Sequence, residues 1–137
     1  MPSPLYFLHR LLLYLWASPA SMLGVLCIAL SLPFGGRMRV VQGALEAHGG
    51  FITLLLTRGM PWMAGGAAAM TLGHVILGAD PECLDRTRRH EHVHVRQYER
   101  WGPLMIPLYL FYSLVLWRQG RDAYLDNPFE VEAYDHS

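Results

Sequence analysis

The sequence predicts an α+β protein, with an N-terminal membrane-spanning helix in residues 1–36 and one small mixed domain in residues 37–137. Three observations carry that expectation. Arg10 is the one charged side chain among the first 36 residues. The chain is 53% hydrophobic and 16% charged, with a mean hydropathy of +0.21, which is apolar for a small soluble domain and too apolar for disorder. Between residues 85 and 101 a polar, helix-like pattern follows segments of strand character. At 137 residues there is room for one domain and no second core of useful size.

Leu11 to Leu32 is a run of 22 residues without a charge, long enough at about 1.5 Å per residue to cross a hydrocarbon core roughly 30 Å thick. Pro19 falls inside it, which membrane helices tolerate better than soluble ones. The rival reading is a cleaved signal peptide, because Ala17-Ser18-Pro19-Ala20 offers small residues. The run continues well past that point and exceeds an ordinary signal core, so an anchor is expected. Arg37 and Arg39 follow the span while Arg10 precedes it, so the domain is expected on the cytoplasmic side of an inner or plasma membrane.

Pro33-Phe34-Gly35-Gly36 ends the span with turn chemistry. Residues 37–47 read as a strand, closed by His48-Gly49-Gly50. Residues 51–57 fit a short helix or a second strand equally well. Residues 67–77 read as one buried strand, with His74 in its middle, and 78–81 as a turn. Asp85 or Thr87 is the expected cap of a helix running to Trp101, with Gly102-Pro103 as its stop signal. Residues 102–117 are uncharged but short for a full span, at about 24 Å as a helix. Their aromatic part, 109–117, reads as interfacial or lipid-facing. Asn127-Pro128 opens a short C-terminal helix, with Asn as cap and Pro at the first position.

Eleven arginines, with no lysine, balance eleven acidic residues, so no basic excess points to nucleic acid. Two separated cysteines supply neither a disulfide framework nor a four-cysteine metal site. The chemistry lies in His90-Glu91-His92-Val93-His94. On a helix, His90 and His94 stand one turn apart on one face, where two imidazoles can share a metal ion. Glu91 lies about 100° round from His90, placed to exchange a proton with a water at such a site without ligating. Gln97 and Trp101 continue the histidine face and are expected to point inward. Tyr98 is expected to pack, His74 to be a satisfied histidine outside the ligand set, and Arg96 and Arg100 to meet solvent or lipid headgroups.

A zinc ion (Zn2+) needs a third protein donor if water is to hold the fourth position. Glu130-Val131-Glu132-Ala133 offers two, about 200° apart on a helix. The small Ala133, one turn after Glu130, would let that helix approach the histidines, which favours Glu130 over Glu132. A helix-capping role would compete for the Glu130 carboxylate. A different reading takes His92-x-His94 and Glu99 as ligands on a strand, as in cupins. It lacks the glycine such sheets want before the motif, Arg86 standing there instead.

His90-Glu91-x-x-His94 followed 36 residues later by Glu130-x-x-Ala133 resembles the zincin-like metallopeptidases of the gluzincin type, in minimal membrane-bound form. Residues 67–134 carry the likeness. His94-x-x-Gln97 before Gly102-Pro103-Leu104 is also similar to small bacterial membrane proteins with the same motif. The resemblance implies a zincin-like domain: a few strands, the motif helix, a hydrophobic helix and a short glutamate helix. It also implies zinc held by His90, His94 and Glu130, Glu91 as general base and then acid, a strand beside the motif helix that aligns a peptide or protein substrate, and a lipid bilayer as partner. Tyr134 departs from the pattern, standing where many relatives carry an acidic residue. The alternative is a non-catalytic membrane protein with a structural or vestigial metal site.

Overall fold

The computed structural model describes residues 1–60, 63 and 65–137. Its elements are α1 (Pro4–Ser31), β1 (Arg37–Val41), β2 (Ala44–His48), α2 (Gly50–Arg58), β3 (Ala69–Leu72), β4 (Val75–Gly78), α3 (Pro81–Trp101), α4 (Met105–Arg118) and α5 (Pro128–Asp135), with short 3₁₀ turns at Leu32–Phe34 and Gly102–Leu104. The architecture is α+β, as expected, with a four-stranded sheet in the order β1-β2-β4-β3. The outer pairs are antiparallel hairpins, and β2 and β4 run parallel.

α1 is long and apolar enough to cross a membrane. It begins seven residues before the uncharged run, where the Ser3 hydroxyl accepts from the Tyr6 amide and Pro4 stands in the first turn. One face carries Ala17, Ala20, Gly24, Ile28 and Ser31, three or four residues apart, and all five are buried. Small side chains there bring the helix onto the sheet. A Cβ at Gly24 would lie 2.6 Å from Val75 Cβ. Ile28 joins one apolar cluster with Ala47, Ile52, Leu56 and Val75, while Ala17 and Ala20 join another with Tyr98, Met105 and Phe129. α1 therefore shares its packing with the rest of the chain.

Two strand expectations need correction. Residues 37–47 are a hairpin, not one strand: Gln42 and Gly43 both take positive φ, +52° and +82°, as a two-residue turn of the primed type demands. Residues 67–77 are likewise a hairpin, turning at Gly73-His74. The turn rests on α1, where the His74 amide donates to Ser21 Oγ at 3.0 Å. Residues 50–58 settle as helix.

α3 starts earlier than expected. Asp80-Pro81 is not a turn but a helix start, because the Asp80 carboxylate accepts from the Cys83 amide at 2.7 Å and Pro81 takes the first position. The helix stops at Gly102, as expected, with φ +53° and its α-carbon against the Trp16 indole. β2 fixes the helix to the sheet through Glu46, a fully buried carboxylate that accepts from Arg88 at 2.7 and 2.9 Å. Because residues 81–101 are helical, His92 and His94 do not share a strand face, and Glu99 pairs with Arg10 at 2.9 Å instead. The cupin-type reading is thereby overturned.

Candidate metal centre

α3 and α5 place the three expected ligands together. The side-chain donors of His90, His94 and Glu130 all lie within 4.8 Å of one another, and all three residues are buried. His90 Nε2 stands 3.0 Å from Glu130 Oε2, and His94 Nε2 stands 3.1 Å from Glu130 Oε1. Ala133 is fully buried, consistent with its expected role of letting α5 close on α3. Asn127 caps α5 through its side chain, which accepts from the Phe129 amide. That leaves the Glu130 carboxylate free of capping duty and turned toward the histidines.

Two imidazoles and a carboxylate converging from two helices form a donor set that suits zinc. The hydrogen bonds around His94 support that fit. Gln97, 1% exposed, donates through Nε2 to the Phe129 carbonyl and to Glu132 Oε1, both at 2.9 Å. Its Oε1 is therefore the acceptor facing His94 Nδ1 at 2.7 Å. A proton on Nδ1 points the Nε2 lone pair of the neutral ring at the Glu130 side, the arrangement a metal ligand needs. Gln97→Leu is expected to weaken zinc retention roughly 10–100-fold. Competition with a chromophoric chelator measures this, and unchanged zinc affinity in a folded variant would contradict the role.

Glu132 is thus not a second ligand candidate in space. It holds Gln97, and through Gln97 the second histidine. Tyr109 belongs to the stretch expected to face lipid, but its hydroxyl turns inward and donates to Glu130 Oε1 at 2.9 Å. Trp101, expected inward, is 38% exposed at the last residue of α3. Tyr98 packs, 5% exposed, and Arg96 is exposed, both as read. His74 stacks on Tyr14 at 3.9 Å and stands 3.4 Å from Glu99 Oε1, outside the ligand group.

Glu91 is buried beside the cluster, and Thr71 of β3 donates to its Oε2 at 2.7 Å. Burial raises its pKa, opposed by the nearby histidines and by Thr71. In the sequence nothing distinguishes Thr71 from the other residues of a buried strand. A cavity of about 820 Å³ opens over these groups. Its walls include β3 (Met70, Thr71, Leu72) and α4 (Ile106, Leu110, Leu114).

Burial would lower the His94 pKa, but the Glu130 carboxylate outweighs it and holds the ring at about 8, above its ordinary 6.5. Burial would raise Glu130, but hydrogen bonds from His90, His94 and Tyr109 bring it down from 4.5 to about 2. The His94 contribution to stability is therefore full below pH 6.5 and lost as pH rises to about 8. The Glu130 contribution is full above pH 4.5 and lost as pH falls to about 2. Burial lowers the pKa of His74 and His92, which pushes stability the other way over the same range, so the His94 contribution is read from the variant. Between pH 6 and pH 8, metal-free His94→Gln should lose less stability to denaturant than the wild type, or gain more. An equal change in the variant and the wild type would contradict the pairing.

No protein-family model, curated protein or solved structure matches the chain.

Proposed function

We propose that the chain is a membrane-anchored zinc metallopeptidase, with His90, His94 and Glu130 as the protein ligands. The observation that carries this reading is the convergence of the two motif histidines with Glu130, while Glu91 stands beside them under an open cavity. A zinc ion held there would supply Lewis acidity to a scissile carbonyl and a water acidic enough to lose its proton near neutral pH. A purely structural site would have no use for a buried carboxylate next to an open position.

The chain's own residues then have separate tasks. Glu91 accepts a proton and later delivers it to the departing amine. Thr71 holds Oε2 of that carboxylate, so the transfer falls to Oε1. Gln97 keeps His94 in one tautomer and ties α5 to α3 through the Phe129 carbonyl. Among the described residues β3 is an edge strand beside the motif helix, and its outer backbone edge can pair with a substrate strand. The span holds this machinery at the membrane, and Arg37 and Arg39 favour the cytoplasmic side.

Hydrolysis of an unstructured fluorogenic protein substrate tests the reading. Zinc-loaded protein should cleave it, a chelator should stop cleavage, and added zinc should restore it. Cleavage indifferent to the chelator would overturn the assignment.

A further inference from the structure

α4 is uncharged from Met105 to Trp117, yet only Met105 and Leu116 are buried along it. A helix so apolar on every side is not stable facing water. Its inner side forms one wall of the cavity over the candidate centre, through Ile106, Tyr109, Leu110 and Leu114. Its outer side carries Phe111, 60% exposed, whose ring meets only the edge of Tyr112 from the same helix among the aromatic contacts of the described residues. Leu110, Leu114 and Trp117 do both: they line the cavity and are 60%, 51% and 69% exposed.

That apolar surface continues onto the span. The turn before α4 packs Gly102 against the Trp16 ring of α1, and both Trp16 and Leu104 beside it remain exposed. At the other end of α4, Trp117 is followed by Arg118 and Arg121, while Arg86 and Arg89 edge the same cavity from α3. An aromatic ring next to cations is what the headgroup level of a bilayer selects. The cavity is thus apolar where it adjoins the lipid-facing strip and cationic where headgroups would lie.

Resting on the peptidase reading above, we propose that the site takes its substrate from the bilayer: an apolar polypeptide segment in extended form, entering past Leu110, Leu114 and Trp117. The outer face of α4 is covered by acyl chains. The outer edge of β3, the sheet's edge strand among the described residues, supplies backbone pairing, and the apolar walls accept side chains without charge. A water-borne, lysine-bearing peptide would have to cross the same apolar rim, leaving its charges unpaired there and facing the like charges of Arg86 and Arg89.

Full-length protein with Cys27→Ser and Cys83→Ser, in phosphatidylcholine–phosphatidylglycerol vesicles, provides the test. An environment-sensitive fluorophore on Phe111→Cys should be quenched by lipids spin-labelled on their acyl chains, and one on Arg96→Cys should not. Equal exposure to water at the two positions would overturn the proposal. In zinc-loaded protein, a photocrosslinker at Leu110 should capture a bilayer-inserted Leu/Ala peptide in competition with excess unlabelled peptide. It should not capture a soluble Lys-containing peptide of equal length. Capture of the soluble peptide alone, or of neither, would also overturn it. Capture of the bilayer peptide without its cleavage would instead refute the peptidase reading and leave the lipid-side entry standing.

Discussion

Glu91→Gln is expected to keep its zinc and lose peptide hydrolysis by about 10²–10⁴-fold. The glutamine side chain preserves the shape of the carboxylate but has no site that takes up a proton at neutral pH. Glu91 is outside the ligand group, so its charge is not needed to hold the metal. It is buried and bonded by Thr71, which an amide oxygen can still accept. Metal analysis and the fluorogenic assay on the same preparation separate the two effects. Activity that persists in the variant would mean that any chemistry here does not use Glu91. A loss of zinc together with activity would move Glu91 among the residues that build the centre.

Glu130→Ala is expected to lose zinc to a chelator that leaves the wild type loaded, since it removes one of three protein ligands. The same change unmakes two contacts to the histidines, at 3.0 and 3.1 Å, and the bond from Tyr109. Glu132→Ala should be milder but not silent, because Glu132 is one of two acceptors that orient the Gln97 amide. The Phe129 carbonyl remains as the other. Zinc loss in Glu132→Ala with retention in Glu130→Ala would reverse the assignment of the third ligand. Retention in both would return the motif to coincidence.

The ligand group was legible because its information is local. One turn between His90 and His94, and a small Ala133 one turn after Glu130, are spacings that a helix turns directly into geometry. The hairpins were hidden for the opposite reason. Their turns, Gln42-Gly43 and Gly73-His74, are two residues long and lie inside runs that remain apolar on both sides. What marks them is positive φ at Gln42, Gly43 and Gly73, and in the second case a neighbouring helix that receives the turn. Asp80-Pro81 is ambiguous in a sequence, since a turn and a capped helix start use the same two residues. Thr71 and Tyr109 lie 20 and 21 residues from the carboxylates they serve, so only the packing of β3 and α4 against α3 and α5 reveals them. The length of apolar helix in α1 was readable. That its small-residue face is shared with the sheet was not, because small residues also suit a helix surrounded by lipid.

Zinc content per chain tests the central claim most directly. Protein extracted from membranes without chelator, or reconstituted with zinc and desalted, should hold about one zinc ion per chain, and the folded His94→Ala variant should hold almost none. Wild-type protein without stoichiometric zinc, or equal zinc in wild type and variant, would contradict the account.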